Sequence, residues 1–97
     1  MNDLTAKTVT ATGYITGSSS NAQPARVKTI YYVASGSAGS ITLKDGGSGG
    51  TNKIVIATPA SATATEVVYI PDSGVRFSTD VHATIADVTS VTVFHDG

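Results

Sequence analysis

Apolar and polar residues alternate along most of this chain in short runs, with a period of two rather than the 3.6 of an amphipathic helix. The run from Arg26 to Val33 is the clearest. Strict alternation there puts Val27, Thr29, Tyr31 and Val33 on one face and Arg26, Lys28, Ile30 and Tyr32 on the other. Shorter runs follow at Ser40–Lys44, Lys53–Ala57, Glu66–Ile70, Gly74–Ser78, Val81–Ile85 and Ser90–His95, and an imperfect one, Leu4–Thr12, comes first. Turn-forming clusters divide them: Ser35–Gly39, Asp45–Gly50, Pro71–Gly74 and Ala86–Thr89. The Ala-rich stretch Ala57–Ala64 is the one candidate for helix, but Pro59 and its Ser and Thr content suit a loop or a sheet edge better.

Short strands about ten residues apart, with Gly, Asp and Ser between them, predict an all-β fold. The expected form is a compact β-sandwich or jelly roll of seven to eight short antiparallel strands, with a small closed barrel as the alternative. Ninety-seven residues close one core and not two. The first 24 residues are poor in bulky side chains and include Thr16-Gly17-Ser18-Ser19-Ser20-Asn21-Ala22-Gln23-Pro24. They read as an extended N-terminal arm, 1–24, ahead of a β-sandwich domain over 25–97. Such an arm either adds an edge strand to its own domain or pairs with a neighbouring subunit by strand addition.

The implied core is light, because the apolar residues are mostly twelve Ala and eleven Val, with two Leu, two Phe and no Trp. Small side chains bury less area per residue against an unchanged backbone entropy cost, so association with other subunits is expected. A surface of Ser, Thr and Gly with few charges suits contact with protein. The net charge of −1 supplies no basic field, so neither nucleic acid nor a membrane surface is an expected partner. Without cysteine there is no disulfide framework, thiolate nucleophile or Cys-ligated metal. The first residues carry no secretory signal, and no apolar run reaches membrane-spanning length.

Candidate chemistry is sparse. Asp45–Gly50 is Gly-rich but lacks the Lys-Ser/Thr ending of a phosphate loop, has one carboxylate where calcium needs several oxygens, and reads as a hairpin loop. Asp80 and His82 share a face if they lie on one strand, and His95 precedes Asp96. Surface histidines explain both better than a metal site, and no metal or cofactor is expected. No Gly-x-Ser-x-Gly elbow is present, and Glu66 is the single glutamate, so the chain reads as a non-enzyme. Adjacent Tyr31 and Tyr32 must face opposite ways on a strand, one toward the core and the other toward a subunit contact. A sugar-stacking platform is the alternative use of the outward one.

The run from Ala25 to Gly97 resembles small proteins encoded among the structural genes of tailed bacteriophages, marine and cyanobacterial ones included. The resemblance rests on Ala25-Arg26-Val27 leading into Tyr31-Tyr32-Val33, the Lys44-Asp45-Gly46-Gly47 turn, Ile70-Pro71-Asp72-Ser73-Gly74-Val75-Arg76-Phe77, Asp80-Val81-His82-Ala83, and Val91-Thr92-Val93-Phe94. It implies a virion component made in the host cytoplasm: a capsid decoration or cement protein that stabilises the head through subunit contacts. Such a protein would be a homo-oligomer, a trimer first, seated on the major capsid protein or another virion protein. The candidate assembly contacts are Leu4, Val9, Tyr14, Ile15, Tyr31, Tyr32 and Phe94. A tail or connector accessory protein, and a carbohydrate-binding or adhesin module, remain as alternatives.

Overall fold

Each run of alternating residues forms a strand in the computed structural model, which describes residues 4–58, 65–70 and 74–96. Nine strands are present among them: β1 (Leu4–Val9), β2 (Gly13–Thr16), β3 (Ala25–Ala34), β4 (Gly39–Asp45), β5 (Thr51–Thr58), β6 (Thr65–Tyr69), β7 (Val75–Phe77), β8 (Val81–Ala86) and β9 (Val88–Asp96). They form two antiparallel sheets packed as a β-sandwich. One has the order β1-β9-β3-β6 with β7 also on β3, and the other the order β2-β8-β4-β5. The β4–β5 connection is a hairpin within one sheet, whereas β8 and β9 belong to different sheets. The chain changes sheet at Asp87, a non-glycine residue at φ 53°, whose carbonyl accepts a 2.7 Å bond from Ser35 Oγ. Residues 59–64 of the Ala-rich stretch and 71–73 of the Pro71–Gly74 turn lie outside the described residues.

The core lies between the sheets and consists of the inward side chains of both. Val27, Ile30, Phe77, Val91 and Val93 come from the five-stranded sheet, and Ile41, Leu43 and Val81 from the four-stranded one. Full burial of each Val, Ile, Leu or Phe contributes about 1.5–3 kcal/mol. Val27 and Ile30 share the core although the alternation of the sequence sets them on opposite faces. The reason is a bulge: Val27 pairs with His95 and Thr29 with Phe94, so Lys28 is the extra residue on β3. Beyond the bulge the faces exchange. Ile30, Tyr32 and Ala34 point inward, while Thr29, Tyr31 and Val33 point outward.

Strands β6 and β7 run along the same edge of β3, β6 beside Thr29–Val33 and β7 beside Ala25–Val27, β6 ending at Tyr69 and β7 beginning at Val75. Gly74 makes the re-entry into β7 feasible. It sits at φ +83°, and a Cβ there would collide with the carbonyl oxygen of Val27.

The segment expected as an arm is folded into the sandwich over its described strands. β1 pairs with β9 from Leu4↔Asp96 to Val9↔Val91, and β2 pairs with β8. The N-terminus therefore supplies one edge of each sheet, the added-edge-strand alternative taken twice.

Candidate functional site

Outward residues of three strands converge on the exposed face of the five-stranded sheet. Thr29 and Tyr31 of β3 stand between Thr92 and Phe94 of β9 and Val67 and Tyr69 of β6, and these six line an open groove of about 450 Å³. The pairing explains their meeting: Thr29 is opposite Phe94 on one side and Tyr69 on the other, and Tyr31 is opposite Thr92 and Val67. Tyr69 is 79% exposed and Val67 44%. Next to Phe94 the same face turns polar. Asp96, Arg26 and Arg76 lie side by side on β9, β3 and β7 and, with Pro24 and Ala25, line a second cleft of about 200 Å³. Lys28 Nζ approaches Asp96 Oδ2 at 4.0 Å.

A second cluster joins the glycine-rich loop to the β7–β8 connection. Asp45 and Asp80 each cap the other's backbone. Asp45 accepts from the N–H groups of Ser78 (3.1 Å), Thr79 (2.8 Å) and Asp80 (3.3 Å) and from Ser78 Oγ (3.1 Å). Asp80 Oδ1 accepts from Gly46 N (3.1 Å) and Gly47 N (2.9 Å). Burial acts to raise the Asp45 pKa, but the N–H donors of Thr79, Ser78 and Asp80 and the Ser78 hydroxyl outweigh it, leaving the carboxyl below its ordinary value. The glycine-rich segment is thus a hairpin loop, as its composition suggests, and its N–H groups donate to the chain's own Asp80 carboxyl group. The loop closes over Tyr14: a Cβ at Gly47 would stand 2.9 Å from the Tyr14 hydroxyl.

Beneath the loop, His82 packs edge-on to Tyr14, ring centroids 4.9 Å apart and planes at 89°. Burial lowers its pKa, nearby Lys44 lowers it further, and Asp80 opposes both. His95 is inside the core with its Nδ1 unpartnered, and burial holds its pKa down against the pull of Asp96. The two histidines are therefore buried, not on the surface as expected. Among the described residues no three His, Asp or Glu side chains gather as a metal site would require.

The candidate contact residues are divided by the fold. Tyr31 and Phe94 meet at the groove. Ile15 and Tyr32 are corrected to core, at 7% and 5% exposure, because they point between the sheets. Val9 is half-buried against the core, Tyr14 is half-buried against His82 and the loop, and Leu4 pairs through its backbone with Asp96. Sequence reasoning missed Val67, Tyr69, Thr29 and Thr92, whose signal is the outward phase of three i, i+2 pairs. Comparison of the chain with protein-family models, curated proteins and solved structures finds no match.

Proposed function

We propose that this chain is a non-enzymatic structural subunit of a tailed-phage virion, assembling as a homo-oligomer on the head as a decoration or cement protein. The observation that carries the assembly reading is the edge of β5, which among the described residues pairs only with β4. Sheet edges invite pairing with other chains and are usually blunted by charge, interruption or brevity. β1 carries Lys7 at its middle, β2 is four residues long with a bulge at its pairing, and β6 and β7 are short, five and three residues. β5 is eight residues long, about 26 Å of edge, with its one charge, Lys53, near its start. Val55 in its middle is 63% exposed, the most exposed large aliphatic side chain among the described residues.

A subunit built this way joins a neighbour by extending the β2-β8-β4-β5 sheet across the interface, backbone to backbone. The resemblance to phage structural proteins supplies the setting, with the major capsid protein as the surface beneath. Light scattering tests the assembly. The native chain should be oligomeric at micromolar concentration, and Val55→Lys combined with Ala57→Lys should be a folded monomer. A native monomer, or an oligomer indifferent to both substitutions, would defeat the β5 reading. Copy number in purified particles tests the setting: lattice-scale stoichiometry fits head decoration, a single ring fits a tail or connector part, and absence removes the virion reading.

A further inference from the structure

The chain has two arginines, and the fold sets them directly opposite each other: Arg26 of β3 is the cross-strand partner of Arg76 of β7. Like charges in that position cost stability. Arg26 is flanked on its other side by Asp96, which also faces Lys28 at 4.0 Å, so among the described residues three cations share one carboxylate. This cluster continues directly from the aromatic groove, since Phe94 and Asp96 are successive outward residues of β9. The groove, at about 450 Å³, has the size of a small-ligand site, roughly 300–1,000 Å³.

We infer that this face binds an acidic oligosaccharide, a glycan containing uronate units, with its rings on Tyr31, Tyr69 and Phe94 and a carboxylate held by Arg26 and Arg76. A pyranose ring presents an apolar C–H face that lies on an aromatic side chain and a rim of hydroxyls that the Thr29 and Thr92 side chains can meet. A guanidinium takes a carboxylate through two parallel N–H···O bonds. Among the described residues, one bound carboxylate changes the local count from three cations and one anion to three and two, and relieves the Arg26–Arg76 opposition. An acidic peptide offers the carboxylate but no flat ring faces for three aromatic side chains, and a flat protein surface would leave the groove unfilled. The site is on the opposite sheet from β5, so it stands or falls separately from the assembly reading.

Calorimetric titration of the native chain with tetragalacturonate, cellotetraose and tetraglutamate tests the inference. Tetragalacturonate should bind saturably, and Tyr69→Ala and Arg76→Ala should each weaken it about tenfold, the scale of one lost stacking or charge-assisted contact. Both side chains are exposed, and unchanged circular dichroism and melting would confirm that the variants fold. No saturable binding at millimolar tetragalacturonate would overturn the proposal, as would indifference to either substitution. Equal affinity for cellotetraose would remove the acidic specificity, and equal affinity for tetraglutamate would make the face a docking site for acidic protein segments instead.

Discussion

Hydroxyl groups in this protein stand in for backbone. Thr16 Oγ1 accepts from Val81 N at 3.1 Å and donates to Gln23 O at 2.7 Å, while Thr12 Oγ1 accepts from Ile85 N at 3.1 Å. Together they hold the two ends of the short strand β2 against β8. Thr16 is buried, so Thr16→Val keeps the shape and leaves the Val81 N–H without its partner; the expected loss is about 1–3 kcal/mol in a denaturant melt. Thr8, whose hydroxyl meets Thr92 on the exposed face at 2.8 Å, should tolerate the same change within about 0.5 kcal/mol. The buried histidines make the opposite kind of contribution. Their folded pKa values lie below the ordinary 6.5, so the unfolded chain takes up protons first as the pH falls. Stability from this source is fully present above pH 6.5 and is lost as the pH drops from there toward the folded values. His95→Leu, which also removes the unpartnered Nδ1, should flatten the fall in melting temperature between pH 7 and 5. An unchanged slope would assign the pH dependence elsewhere.

At the scale of elements, the Asp45–Asp80 clasp locks the β4–β5 hairpin loop to the entry of β8. Asp45→Asn keeps the size but replaces an ionised acceptor of four bonds with a neutral amide; a loss of about 1.5–3 kcal/mol is expected for weakening charge-assisted bonds of this kind. The depressed carboxyl pKa gives the same clasp an acid limit. Its contribution is present above the ordinary 3.8 and disappears as the pH falls through the lower folded value, so the native chain is expected to lose stability in an acid step below about pH 4 that the variant lacks. The strands were legible in the sequence wherever alternation lasted five residues or more, because one buried face imposes a period of two. β2 escaped, since four residues held by threonine hydroxyls carry too little pattern. The β3 bulge escaped as well: Val27, Thr29, Tyr31 and Val33 keep perfect alternation through a place where the backbone inserts a residue. That slip concealed the groove, because it put Tyr31 on the same face as the core residue Val27. Its other walls come from β6 and β9, distant in sequence and joined only by sheet order.

For the molecule as a whole, the N-terminal segment is the part whose role the fold changes most. An arm free to reach a neighbour could be removed with loss of assembly alone. Here β1 covers the edge of β9, where Val91 and Val93 enter the core, and β2 covers the edge of β8, with Ile15 buried. One short segment closes both sheets, in a core of small side chains with little stability to spare. Deleting residues 1–16 should therefore abolish cooperative thermal unfolding rather than yield a folded monomer, with amide protons of β8 and β9 exchanging fast. The β5 substitutions, in contrast, should change the mass and leave the melt intact. If the shortened chain folds with protected β8 and β9, the sandwich closes without its N-terminal strands, and β1 and β2 become free to exchange between subunits; a recovered oligomer on adding back a 1–16 peptide would show that exchange directly.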